Sequence, residues 1–365
     1  MRENSEIVRW IVRTVRTVRL SVSVSIGIVL TIAAAALPAS AQVEMRVAGI
    51  TSSNRKHVDI ERPFFDALAK NSGVQVRPNY NPHDSVGMHL QEALRHVRTG
   101  TFDVLSVPIG LLSRDDPFFE GLDLVGVSTN MNELRKVVDA YRGVFDRRLQ
   151  SKFNAKVLLL WPYGPQVFYC NAELKSLDDL KGQKVRTYTA SMSALVQHFG
   201  GTPVTLQFPE VYPALQRGVA NCAVTSPTSG STGNWPEVTT HLLSLSVANG
   251  VTGHFVNLDH WKRYSPADQK KLEAEFKKFE AQMWDLAIRV NEDATNCNLG
   301  RDACKDHVKF KMKAVDITPA DLRKVKAAAS AVVLPMFKQA CNRVDPTCST
   351  TWNDTVGKAS GLRIE

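Results

Sequence analysis

The chain has 365 residues, 44% of them hydrophobic and 22% charged. That length allows one or two domains with a large buried core, and the composition excludes a disordered or fibrous chain. The formal net charge is +9, but the basic residues are spread along the chain and not clustered with aromatics, so no nucleic-acid partner is expected.

Residues 1–41 read as an export signal. Arg2, Arg9, Arg13, Arg16 and Arg19 form a basic start, Leu20 to Leu37 carries no charge, and Ala39-Ser40-Ala41 has the small-x-small pattern of a cleavage site. Cleavage after Ala41 is expected, which places the mature chain in the periplasm of a Gram-negative bacterium. The competing reading is an uncleaved anchor, because the apolar run is close to the shortest membrane span. Ser21, Ser23, Ser25 and Thr31 weigh against it.

Strands and helices then alternate. Met45 to Ile50 reads as a strand, and Pro63 suits the first turn of a helix carrying Phe64, Phe65 and Leu68. Val74 to Tyr80 alternates as a second strand. Asp84 to Arg98 is helical, with Leu90, Ala93, Leu94 and Val97 on one face and Gly100 closing it. Phe102 to Val107 is the third strand. This β-α-β-α-β run implies a mostly parallel sheet with helices on both faces. Asn132 to Gln150 is a further amphipathic helix. Lys156 to Leu160 is an apolar strand broken by Trp161-Pro162-Tyr163-Gly164-Pro165, where the chain is expected to cross to a second lobe.

That lobe repeats the pattern. Ser176 and Asp179 form a near capping box, Lys184 to Thr187 is a strand ending near Arg186, and Ser191 to Phe199 is a helix. Thr202 to Leu206 is a strand, Pro209 to Arg217 a helix containing Pro213, and Val219 to Thr225 a buried strand. Ser226 to Asn234 reads as a loop. Thr252 to Asn257 returns to the first lobe. Ser265-Pro266-x-Asp268 opens a helix running to about Asn291, long enough to touch both lobes. Thr318-Pro319-x-Asp321 opens another. The expected division is 42–163 plus 251–290 for lobe I, and 164–250 plus 291–365 for lobe II with a disulfide-tied C-terminal extension.

All six cysteines follow the export segment, and an even count in an exported chain implies disulfides. Cys297/Cys304 and Cys341/Cys348 each enclose six residues and read as local staples, which leaves Cys170 for Cys222. Spacing does not settle the pairing of the four C-terminal cysteines. The tight C-x₂₋₄-C pairs of a zinc site are absent, and neither a metal nor another cofactor is expected. No H-E-x-x-H, G-x-S-x-G, G-x-G-x-x-G or Walker pattern occurs, so the chain is not expected to be an enzyme.

Three stretches carry more information together than singly: Asp179-Leu180-Lys181-Gly182-Gln183-Lys184-Val185-Arg186, Gly201-Thr202-Pro203-Val204, and Glu210-Val211-Tyr212-x-Ala214-Leu215-Gln216-x-Gly218-Val219. With Gly49 to Asn54 and Gly100-Thr101-Phe102-Asp103, they closely resemble the solute receptors of tripartite ATP-independent periplasmic (TRAP) transporters, of the dicarboxylate-receptor type, from about Met45 to Asn291. The resemblance implies a two-lobed α/β binding protein, with each lobe a mostly parallel sheet flanked by helices, joined by crossing strands and a long helix. It implies an organic acid ligand, a mono- or dicarboxylate, and small and large membrane subunits as partners. The family's carboxylate-gripping arginine falls on Arg186, its aromatic before P/S-E-V-Y on Phe208, and its polar strand-end position on Thr225. A second arginine that many members carry falls on Gln166. One carboxylate on an apolar or hydroxylated body, held by Arg186, Gln166, Phe208 and Tyr163 with Asn54 on the first strand-loop, is therefore expected. A periplasmic enzyme on a related scaffold and a ligand-presenting sensor subunit are the competing readings.

Overall fold

The computed structural model describes residues 42–365. The export signal read in residues 1–41 lies outside the described residues. Strands β1 (Val43–Gly49), β2 (Val76–Pro82), β3 (Val104–Pro108), β4 (Ala155–Pro165) and the returning β10 (Asn249–Asn257) form one sheet in the order β2-β1-β3-β10-β4. Strand β1 is parallel to β2 and β3, whereas β10 runs antiparallel to β3 and β4. Helices α1 (Arg55–Ser72), α2 (Ala93–Thr99) and α3 (Met131–Phe153) complete this lobe.

The second sheet contains β5 (Val167–Cys170), β6 (Lys184–Thr187), β7 (Thr202–Thr205), β8 (Cys222–Thr225), β9 (His241–Leu243) and β11 (Lys313–Val315), ordered β11-β9-β5-β8-β6-β7. Helices α4 (Ala190–His198), α5 (Phe208–Gln216) and α6 (Pro227–Thr232) connect its strands. Both sheets are mixed because each holds a strand that carries the chain across: β5 enters antiparallel to β8 and β9, and β10 leaves antiparallel to β3.

Four local expectations are corrected. Helix α1 begins at Arg55 and keeps Pro63 in its interior; Pro63 and Asp59 are both exposed, so the carbonyl that loses its partner faces water. The helix expected from Asp84 is interrupted by Gly87 in the left-handed region (φ +67°), leaving short turns before α2. Strand β4 runs straight through Pro162 and Pro165, which is tolerated because β4 is an edge strand and needs donors on one side only. Ser226 to Asn234 holds the helix α6, capped by the Ser226 hydroxyl with Pro227 in its first turn.

The two crossing strands, β4 and β10, are paired from Ala155 opposite Asn257 to Pro165 opposite Asn249, and Gln166 carries the pairing one step further. The Gln166 amide donates to the Ala248 carbonyl at 2.8 Å, and the Val247 amide donates to the Gln166 carbonyl at 3.0 Å. After the short α7 (Leu258–Trp261), helix α8 (Pro266–Asn298) is the third link. Its 33 residues extend about 50 Å. Trp284 Nε1 donates to the Leu160 carbonyl in the first lobe at 2.9 Å, and Asn298 Nδ2 donates to the Tyr169 hydroxyl in the second at 2.7 Å. Beside the crossing, a Cβ on Gly164 would lie 2.4 Å from Asn291 Nδ2, and φ there is +125°. Only glycine lets α8 pack this close.

The C-terminal region does not belong to lobe II alone. Strand β11 joins the second sheet, and in α9 (Pro319–Ala328) Lys324 pairs with Asp178 while Lys326 pairs with Glu133 of α3 at 2.9 Å. Beyond α10 (Leu334–Val344), Asp345 accepts from Arg148 of α3 at 2.7 Å, and Trp352 Nε1 in α11 (Cys348–Trp352) donates to the Gly121 carbonyl at 2.8 Å. The tail is a strap across both lobes, because its buried Phe337 and Trp352 find their apolar surface on the first.

Cys170 is bonded to Cys222, Cys297 to Cys304 and Cys341 to Cys348, with no free cysteine among the described residues. The first bond joins directly paired residues of β5 and β8 across a sequence separation of 52. Closing so long a loop restricts the unfolded chain by about 4 kcal/mol. Replacing both cysteines by serine should therefore lower the melting temperature by several degrees in calorimetry, while the wild-type protein should show no thiol reactive to a maleimide under non-reducing conditions. A wild-type thiol titrating at Cys222 would contradict the pairing.

Candidate functional site

Arg186 sits near the C-terminal end of β6, beside β7 and β8, at the edge where sheets of this kind leave their crevice. Only 3% of it is exposed. Its Nε donates to the Leu206 carbonyl at 3.2 Å and its Nη1 to the Val224 carbonyl at 2.9 Å. These two carbonyls orient the guanidinium without neutralising it. The nearby acids in sequence are occupied: Asp179 accepts from the Lys175 and Ser176 amides at 2.7 and 2.9 Å, and Asp178 pairs with Lys324. Among the described residues Arg186 makes no ion pair. Burial holds its pKa down to about 10, with Tyr188, Tyr163 and Glu210 pulling it upward, so it remains a cation at neutral pH.

Aromatic faces surround that charge. The Arg186 Cζ lies 5.3 Å from the Tyr188 ring centre and 5.7 Å from that of Trp235, a distance at which the negative ring faces attract it. Phe208, at the start of α5, stacks on Trp235 with centroids 5.4 Å apart. Asn234 takes a left-handed conformation (φ +58°), which turns the chain between α6 and Trp235.

The first lobe and the crossing supply the opposite wall. Asn54, the residue before α1, donates to the Tyr163 hydroxyl, and its Oδ1 accepts from Thr232 of α6 at 3.2 Å. The Gln166 side chain is wholly buried, with Nε2 donating to the Gly164 carbonyl at 2.8 Å and Oε1 accepting from the Tyr188 hydroxyl at 3.0 Å. Thr225 ends β8 opposite Val167, next to the Val224 carbonyl that holds Arg186, and is buried. Two further contacts join the lobes. Glu120 Oε1 accepts from the Ser191 amide in the first turn of α4 at 2.9 Å, and Gln91 donates to Gln207. Burial raises the Glu120 pKa despite the Ser191 hydrogen bonds.

All six expected residues thus fall along one seam, but in different positions. Asn54, Tyr163 and Gln166 make the wall and hinge, while Phe208 reaches Arg186 through Trp235. Tyr188 and Trp235 were not foreseen. Tyr188 was within reach of the pattern, since it lies one residue past the end of β6, where the alternation of the strand carried on by one step puts it on the face of Arg186. Trp235 had no local signal, because only the fold brings it back to β6. A groove of about 630 Å³ between α1 and α8, lined by Phe64, Glu275 and Phe279 among others, contains none of these residues.

One grouping of metal-ligating types occurs among the described residues, Asp293, Cys297 and His307. Cys297 is disulfide-bonded, and Asp293 already accepts from His307 Nδ1 at 2.7 Å and from the amides of Lys305, Asp306 and His307. This carboxylate organises a loop; it does not offer a metal an open ligand set.

Known proteins share this architecture. The family model described as bacterial extracellular solute-binding protein, family 7 (DctP) matches residues 48–340. The chain is 24% identical over 320 residues to the sialic acid-binding periplasmic protein SiaP of Vibrio cholerae, covering 87% of this chain and 93% of that protein. It is 30% identical over 205 residues to the C4-dicarboxylate-binding periplasmic protein DctP of Rhodobacter capsulatus, covering 53% of this chain and 57% of that one. Among solved structures, DctP7 of Bordetella pertussis, an extracytoplasmic solute receptor binding pyroglutamic acid, superposes with a TM-score of 0.74 at 19% identity, over 85% of this chain and 99% of that one.

His57 of α1 stacks on Trp161 and Tyr163 with centroids 5.1 and 6.3 Å away, and neither ring nitrogen has a partner. Burial pushes its pKa down to about 4. A histidine held below its unfolded value contributes stability that is intact above pH 6.5 and lost as pH falls from there towards 4, up to about 3 kcal/mol. Buried Glu120 and Asp123, raised by burial, act in the opposite sense. His57→Gln should therefore flatten the fall in melting temperature between pH 6.5 and 4 relative to wild type. Parallel curves for the two proteins would refute this.

Proposed function

The chain belongs to family 7 of the bacterial extracellular solute-binding proteins, and we propose that it closes on an organic acid in the seam between its lobes and hands it to a membrane permease of small and large TRAP subunits. Export through cleavage after Ala41 places it in the periplasm in this reading. The family is one of solute receptors, and no catalytic step is invoked. One observation carries the proposal: a cation lies buried at a sheet's C-terminal edge, oriented by two carbonyls, faced by aromatics and given no counter-charge by the protein.

A carboxylate is the natural partner for such a group, because it accepts the guanidinium hydrogens left over and cancels a buried charge that otherwise costs several kcal/mol. The relatives named above bind sialic acid, C4-dicarboxylates and pyroglutamic acid, all of which carry a carboxylate. The neutral Gln166 at the crossing, engaged with Tyr188, favours one strong carboxylate contact over two. Binding shifts the lobes towards the closed arrangement, since only that form brings Asn54 and Tyr163 onto a ligand held by Arg186.

Isothermal titration tests the reading. Arg186→Ala should weaken binding about 100-fold or more, as expected from leaving a buried charge unpaired, and Arg186→Lys should recover only part of it. Unchanged affinity in Arg186→Ala for every acid that binds the wild type would end the proposal.

A further inference from the structure

Asp123 follows the turn Pro117–Leu122 in the first lobe and is 3% exposed. Its Oδ1 is buried with no hydrogen-bond partner. The backbone approaches it closely at Gly110: a Cβ there would lie 3.3 Å from Asp123 Oδ2, 2.7 Å from the Thr189 methyl and 3.7 Å from the Tyr188 ring. Glycine at 110 thus lets a carboxylate of the first lobe meet Thr189 and Tyr188 of the second with no side chain between them. The same Tyr188 ring is the one beside which Arg186 lies. Asp123 and Arg186 do not form an ion pair, so the seam holds a buried carboxyl group and a buried cation near one tyrosine, each without a charged protein partner.

Leaving either group unpaired is costly. A simple carboxylate would satisfy Arg186 alone. A second carboxylate would sit against a group that burial already hinders from ionising, and an apolar group would leave Oδ1 without a partner. A ligand carrying a nitrogen donor satisfies both ends at once, and an ammonium would also offset the charge of an ionised Asp123. We infer that Asp123 is the second recognition point of the cleft and that the ligand is an organic acid bearing an ammonium or amide N–H, which Asp123 Oδ1 accepts while Arg186 holds the carboxylate. This rests on the organic-acid reading and narrows it. Burial, with Glu120 adding to it, drives the Asp123 pKa well upward; a donor on Oδ1 favours the ionised form that burial penalises.

Matched acids decide the matter: glutamate against glutarate, and pyroglutamate against its lactone counterpart, in which oxygen replaces the N–H. A wider panel of carboxylates with and without N–H is run beside them by thermal shift, with titration of whatever binds. The wild type should prefer nitrogen-bearing acids about tenfold or more, and Asp123→Asn should equalise each pair. Because that variant removes an unpaired buried carboxylate, its ligand-free melting temperature should not fall. Equal binding of matched acids by wild type, a preference for acids lacking N–H, or an equal loss for both members in Asp123→Asn overturns the inference and leaves the organic-acid reading standing. If no carboxylate in the panel raises the melting temperature, the organic-acid reading itself fails and this inference with it.

Discussion

A guanidinium buried without a counter-charge is the constraint around which this molecule is arranged. Arg186 is held by the carbonyls of Leu206 and Val224, which direct it but leave its charge intact. An acid beside it would stabilise the protein more and bind ligand less, since an incoming carboxylate would have to displace it. The acids nearest to it in sequence, Asp178 and Asp179, are engaged with Lys324 and with a helix cap. Tyr188 and Trp235 moderate the charge through their ring faces, keeping water out without competing for the same hydrogens.

The rest of the fold makes that site openable. Two strands cross between the lobes, paired along β4 and β10 and bonded past the end of that ladder through Gln166, Val247 and Ala248, where a few dihedral changes suffice for a hinge. Helix α8 spans both lobes and packs on the crossing through Gly164 and Asn291. The C-terminal helices add a strap from Asp178 to α3 and Gly121. Hydrogen bonds across the seam join Asn54 with Thr232, Glu120 with Ser191, and Gln91 with Gln207. Such contacts reform easily, so a ligand that bridges the lobes can decide their balance.

Much of this was legible in the residues. The alternation of strands and helices, the Ser265 and Thr318 caps and the strand ending at Arg186 all follow from local patterns, and those patterns hold wherever packing agrees with them. They misled where tertiary context intervened. Pro63 marks a helix start in isolation, yet sits mid-helix because its face is exposed; Pro162 and Pro165 mark a break, yet lie in an edge strand. The site was half visible for the same reason. Arg186 and Phe208 stand in recognisable stretches, whereas Trp235 and Asp123 reach the seam only through loops whose course no local rule specifies. The tail's attachment to both lobes was hidden because it depends on where Trp352 and Phe337 find apolar surface.

The most direct measurement is a crystal structure of the mature protein grown with a carboxylate that raises its melting temperature. The account predicts carboxylate oxygens at about 3 Å from the guanidinium nitrogens of Arg186, with Tyr188 and Trp235 against the ligand and both lobes in contact with it. A carboxylate bound elsewhere, with Arg186 still bonded only to the Leu206 and Val224 carbonyls, would contradict it.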